Sequence, residues 1–203
     1  MNVQAEIDRA SQYGRQLEAL LDGKEVTAST DRDLLIIGYR SLLLDYHTAI
    51  VMLLEKELYG AAFALLRPTV EAWVRIHIAK MGTDETVLQL KNDTYRVDFG
   101  KVGEEIDTAF ELAFFEKSLN KAVRDALHSY THSGWFQIAR RFNENEIKSR
   151  YSDGAILNVL EGSMTALFMA TIVTTNHFGF EDEWRATAEL FSEYNKRPLE
   201  VPE

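Results

Sequence analysis

A chain of 203 residues with 46% hydrophobic and 27% charged side chains is long enough for one domain with a substantial core. Thirty-two acidic against 22 basic residues leave a net charge of -10, which disfavours non-specific nucleic-acid binding and adsorption to anionic membranes unless basic residues cluster on one face. The absence of cysteine excludes disulfides, thiolate metal sites and thiolate nucleophiles. The first residues carry no basic segment followed by an apolar one, so no secretory signal is read and a cytoplasmic location is expected. Residues 1–203 are read as one helical domain, with 196–203 as a flexible tail.

Ile7, Ala10, Tyr13, Leu17, Leu20 and Leu21 recur at helical spacing and predict an amphipathic helix over 4–22, ended by Gly23. Thr30-Asp31-Arg32-Asp33 has the form of a capping box and opens a second helix over 31–58, with Gly38, Ser41, Asp45 and Thr48 as its polar stripe. Tyr59-Gly60 is read as a tight connection to a central helix running to Met81, which predicts an antiparallel hairpin. Apolar residues cover most directions of that central helix, the pattern of an element buried on nearly all sides. Pro68 inside it removes one i to i-4 hydrogen bond, predicting a kink near Leu65 to Arg67 or a new helix start, with an exposed carbonyl open to use.

Gly82-Thr83-Asp84-Glu85 ends the central helix and caps a short one over 84–93, and 94–103 reads as a loop. A helix over 104–115 follows, with three acids in its first turn. Asn120 is read as the cap of a helix from Lys121 to His132 whose two faces separate cleanly: Ala122, Val123, Ala126, Leu127 and Tyr130 oppose Lys121, Arg124, Asp125, His128 and His132. Ser133-Gly134 ends it, Trp135 to Phe142 makes a further helical turn, and 143–146 is a polar loop. Asp153 is read as the cap of a long apolar helix over 154–177, along which Gly162, Ala166, Ala170 and Thr174 form a ridge of small side chains for close approach of the central helix. Its uncharged run is read as a buried core helix, not a membrane span. Gly179 ends it and Glu181 to Asn195 makes a last amphipathic helix. No segment alternates at period two, so the fold class is all-α: a bundle of four or five long helices with short accessory helices.

Three constellations carry chemistry. Arg67, Glu71 and Arg75 share one stripe of the central helix, continued backwards by Gly60 and Ala64. Two readings stand: a row of i, i+4 ion pairs on a solvent face, worth about 0.3–0.5 kcal/mol each, or a carboxylate held between two guanidiniums, able to orient a histidine or bind an anion. Asp125, His128 and His132 lie on one helical face, either as a surface pair of histidines or as three metal ligands. Arg140, Arg141, Lys148 and Arg150 interleave with Trp135, Phe136, Phe142 and Tyr151, either as a solvated face or as a local nucleic-acid footprint. His47 and His77 are read as core or helix-contact residues, and His177 as favoured by the dipole at a helix C-terminus. There is no Gly-rich phosphate loop, nucleophile elbow or Ser-His-Asp order.

The segment Ala61 to Arg75, with its Phe-Ala-Leu-Leu-Arg-Pro-Thr-Val-Glu core, and Leu127-His-Ser-Tyr-Thr-His-Ser-Gly134 resemble a family of uncharacterised bacterial helical proteins, over roughly residues 35–180. They are more distantly similar to the HEPN (higher eukaryotes and prokaryotes nucleotide-binding) helical domains. Many HEPN members are metal-independent ribonucleases of toxin and phage-defence systems, built on an Arg, a following polar residue and a His a few residues later. Arg124-Asp125 matches the start of that pattern, while three residues separate Arg124 from His128 and seven separate it from His132. The resemblance implies His132 or His128 as the acid-base residue, Arg124 as the stabiliser of phosphorane charge and Asp125 as an orienting group. It also implies a homodimer. The expected protein is a helical bundle in which the Arg67/Glu71/Arg75 stripe and the His128/His132 face converge on one polar pocket, with RNA or a protein as partner, no membrane, no cofactor and no metal. Its alternative is a non-catalytic interaction or regulatory bundle whose Arg, Glu and His residues form a structural polar network fixing helix register.

Overall fold

The structure, a computed structural model, describes residues 2–97, 108, 121–143, 146–147 and 150–196. The expected helix over 104–115, apart from residue 108, the Asn120 cap and the tail beyond 196 lie outside the described residues. The described elements are α1 (Val3–Ala19), α2 (Asp31–Glu55), α3 (Tyr59–Met81), α4 (Asp84–Lys91), α5 (Lys121–Thr131), α6 (Trp135–Ala139), β1 (Phe142–Asn143), β2 (Glu146–Ile147), α7 (Asp153–Phe178) and α8 (Glu181–Asn195). The class is all-α, with five long helices and three short ones; Phe142↔Ile147 and Asn143↔Glu146 make a two-residue antiparallel pairing where a polar loop was expected.

α2, α3 and α7 pack pairwise and form the centre. α1 and α8 close one side against α7, α4 lies against α2 and α3, and α5 lies against α3. Ile36, Leu43, Ile50 and Leu54 of α2, Val74 and Ile76 of α3, and Leu160, Met164, Leu167 and Phe168 of α7 are fully enclosed. Each such side chain removed from water contributes about 1.5–3 kcal/mol. The small-residue ridge faces the core: a Cβ on Gly162 would lie 3.3 Å from Leu66 Cδ1 of α3, and Ala166 and Ala170 are buried. α2 and α7 are both long and apolar enough to cross a membrane by length and composition, and 67% of the most apolar window of α7 is buried in the bundle against 28% for α2.

The capping box at Thr30 forms: its hydroxyl accepts from Asp33 N at 3.1 Å while Asp33 Oδ2 accepts from Thr30 N at 2.9 Å. Several helices end a few residues earlier than read, and at two boundaries a different residue takes the expected role. The α2–α3 connection is Lys56-Glu57-Leu58, with Glu57 at φ 55, so Tyr59 and Gly60 belong to the first turn of α3. At α7 the cap is Ser152, whose hydroxyl accepts from Ala155 N at 3.3 Å, and Asp153 is the first helical residue, where its charge suits the dipole. Gly179 ends α7 at φ 72, as a left-handed terminator. α3 remains one helix through Pro68, so no new helix starts there.

Candidate functional site

α3 and α5 run side by side, and this packing is what assembles the polar site. Phe63 meets Tyr130 with ring centroids 5.1 Å apart, Ala64 meets Thr131, and Arg67 meets His128. From Ala64–Thr131 to Arg67–His128 the numbers rise by three on one helix and fall by three on the other, so the two are antiparallel. The carbonyl of Ala64 is the one deprived of its amide by Pro68, and the Thr131 hydroxyl lies 3.4 Å from it and 3.0 Å from Leu127 O. The interruption in α3 thus becomes a docking point for α5.

At the next level the Arg67 guanidinium joins the two helices. Its Nε donates to Glu71 Oε1 at 2.8 Å, and its Nη1 lies 2.8 Å from His128 Nδ1. A guanidinium has only donors, so Nδ1 accepts, His128 is neutral and its proton sits on Nε2. The His132 ring follows one helical turn on, with its centroid 4.4 Å from that of His128. Both histidines are exposed, and the Arg67 and Glu71 side chains are 28% and 35% exposed, so the site opens to solvent. Arg124 is half-buried and Asp125 exposed on the same helix.

The stripe is not a carboxylate between two arginines. Among the described residues Glu71 pairs with Arg67 alone, and Arg75 turns to Asp93 Oδ1 at 3.8 Å. Glu71 reaches His128 only through Arg67. Among the described residues no three imidazole or carboxylate groups are arranged to hold one metal ion, which removes the support for Asp125, His128 and His132 as a joint ligand set.

The turn after α5 is fastened by Ser129 and Gly134. Gly134 N donates to Ser129 O, Phe136 N donates to Ser129 Oγ at 3.1 Å, and a Cβ on Gly134 would fall 2.4 Å from that oxygen. α6 is then tied back to α3 by Gln137 Nε2 donating to Gly60 O at 2.9 Å. This brings Arg140 over the rings of Tyr130 and Tyr151, at 6.0 and 5.4 Å from their centroids, and places Arg141 against Gly60. Trp135, Phe136, Ile138 and Phe142 remain exposed beside them. The serine, threonine, glutamine and glycine of this seam carry no chemical signal of their own in a sequence; their short polar contacts exist only once the helices are docked. Comparison with known protein families, with curated proteins and with solved structures returns no match.

The remaining histidines serve the bundle. His47 is buried between Ala10 O at 3.2 Å and Ser163 Oγ at 3.1 Å, and burial lowers its pKa to about 4. His77 is buried against Trp73, and burial lowers it to about 4 as well. His177 is fixed by more than a helix dipole: its Nε2 lies 2.7 Å from Asp33 Oδ1, tying the end of α7 to the start of α2. That hydrogen bond, followed by those from Thr30 and Ser29, outweighs burial and holds the Asp33 carboxyl at about 2.

Proposed function

We propose that the protein is a HEPN-like, metal-independent ribonuclease of the bacterial toxin or phage-defence type, acting in the cytoplasm and as a homodimer. The observation that carries this reading is the Arg67–His128 contact, which puts the arginine of α3 and the histidine pair of α5 at one solvent-open place. Two adjacent imidazoles and a guanidinium are a sufficient set for phosphodiester transesterification. His132, whose ring makes no hydrogen bond among the described residues, takes the proton of a ribose 2′-hydroxyl, and that oxygen attacks phosphorus. The His128 Nε2–H and the Arg124 guanidinium donate to the non-bridging oxygens as their charge rises. The bond to the 5′ oxygen breaks, His132 returns the proton to that oxygen, and a 2′,3′-cyclic phosphate and a 5′-hydroxyl are left. Arg67, anchored by Glu71, positions His128 in the tautomer that donates. The distant resemblance of Arg124-Asp125 with His128 or His132 to the HEPN pattern supports the substrate class, and the exposed Trp135, Phe136 and Phe142 beside the site suit either unstacked bases or a second subunit.

The test is incubation of the purified protein with single-stranded RNAs of varied sequence in EDTA, with cyclic-phosphate ends read by mass spectrometry. Cleavage by the wild type that falls by about 10²-fold or more in His132→Ala is expected, the size of a lost acid-base group. Intact RNA in every wild-type reaction overturns the reading. A second reading, a non-catalytic interaction bundle, is favoured by one observation: Arg67–Glu71 and Arg75–Asp93 are ordinary half-exposed ion pairs of the kind that fasten helices without chemistry. Under it Arg67→Gln lowers stability and the wild type leaves RNA whole.

A further inference from the structure

One turn beyond the histidines, at the start of α3, a second group of polar side chains converges. Gly60 is buried there, and a Cβ added to it would lie 2.7 Å from Arg141 Nη2 and 3.4 Å from the Tyr151 hydroxyl. The guanidinium tip and the phenol therefore both reach the same bare carbon, an approach that only glycine permits without displacing the arginine. Arg140 stacks on the ring of Tyr151 from its own position and is held by the backbone, with Arg150 N donating to Arg140 O at 2.9 Å. The positive end of the α3 dipole is here as well, and α3 has no side-chain cap.

Two features of this cluster are unexplained by packing alone. No described carboxylate forms an ion pair with Arg140, Arg141 or Arg150, in a chain of net charge -10 where carboxylates are plentiful. The nearby acids Glu57 and Asp153 act on the Tyr59 hydroxyl instead. The Tyr151 hydroxyl oxygen is enclosed and has no hydrogen-bond partner among the described residues. An enclosed hydroxyl left unsatisfied is costly, so its presence beside two like charges calls for a use.

We propose that Arg140, Arg141 and the Tyr151 hydroxyl form a binding site for a phosphoryl group against Gly60 of α3. Two guanidiniums and a phenol offer more donors than the two oxygens of a planar carboxylate take up, which suits a tetrahedral oxyanion with three or more acceptor oxygens better. The phosphoryl group is that of a free phosphate or a nucleotide, or one link of a single-stranded nucleic-acid backbone. The site stands apart from the histidine pair and does not depend on the nuclease reading.

The test is equilibrium binding, with inorganic phosphate and with a single-stranded oligodeoxynucleotide, which lacks the 2′-hydroxyl and so reports binding whether or not the protein cleaves RNA. Arginine side-chain NMR of the full chain follows Arg140 and Arg141 during each titration. Binding that weakens about tenfold or more in Arg141→Gln supports the proposal, the scale of one lost charge-assisted contact. Loss with both probes assigns the site to a phosphoryl group as such; loss with the oligodeoxynucleotide alone assigns it to a backbone phosphate. Gly60→Ala keeps every charge and displaces Arg141, so it weakens binding as well. Tyr151→Phe weakens binding while leaving the unliganded protein at least as stable in urea, because it removes a hydroxyl that has no partner among the described residues. No binding of either probe, or binding equal in wild type and Arg141→Gln, overturns the proposal.

Discussion

Replacing His47 by glutamine flattens the acid limb of the stability curve. The ring is 1% exposed, and its Nε2 faces a carbonyl that only accepts, so Nε2 carries the proton, while Nδ1 lies 3.1 Å from Ser163 Oγ, whose hydroxyl donates to Leu160 O. Charging the ring adds a donor on Nδ1 in an enclosed place, which is why burial depresses His47 from 6.5 to about 4, with His77 depressed to about 4 by the same cause. The unfolded chain takes up both protons as pH falls through its ordinary histidine range, and the folded chain does not until about 4. Stability is therefore complete above the unfolded pKa and is lost on acidification between 6.5 and about 4, at about 3 kcal/mol per histidine. Asp33 acts in a separate window: its carboxyl, held at about 2 against an ordinary 3.8, loses its contribution only as pH falls through that lower range. Urea denaturation of wild type and His47→Gln at about pH 7 and about pH 4.5 measures the difference. Glutamine can donate to Ala10 O without titrating, so the variant should lose roughly half as much stability across that interval as the wild type. An identical loss in both proteins would refute the burial argument.

The same pocket makes Gly14 sensitive. A Cβ there would lie 2.9 Å from His47 Cδ2, so Gly14→Ala should cost about 1–3 kcal/mol in urea denaturation despite alanine's better helix propensity, and equal or greater stability would show that the ring moves aside freely. At the candidate site, long-range proton–nitrogen NMR should find the neutral His128 protonated on Nε2, with that preference lost in Arg67→Gln. A dominant Nδ1–H tautomer in the wild type would contradict the Arg67 contact.

Much of this architecture is legible because helices announce themselves locally. The spacing of Ile7, Ala10 and Leu17, the Thr30/Asp33 box and the Gly179 terminator are all short-range signals, and each forms as read. Where two residues suit one local role the sequence is ambiguous: Ser152 and Asp153 both suit a cap, and in the structure Ser152 takes it. Tyr59-Gly60 resembles a turn, but the preceding Glu57 takes the left-handed conformation and leaves Gly60 free to admit Arg141. Contacts between distant segments are a different matter. Pro68 foretells a free carbonyl on Ala64, yet nothing local says that Thr131 will reach it. Asp33 and His177 lie 144 residues apart, and Arg75 choosing Asp93 over Glu71 depends on where the chain after α4 returns. The Arg67–His128 meeting is a partial exception: each helix shows its polar face in the pattern, and only their antiparallel docking brings the two faces to one level.

The central claim, that Arg67 and His128 work as one unit in a ribonuclease site, is tested most directly by a double-mutant cycle on RNA cleavage. Rates are measured for wild type, Arg67→Gln, His128→Ala and the double variant, each checked for an unchanged thermal midpoint. The account requires each single variant to lose about 10²-fold or more, and the double variant to lose little beyond either, since the second change removes a group already out of place. Multiplicative losses in the double variant, or a wild type that leaves RNA uncut, would contradict it.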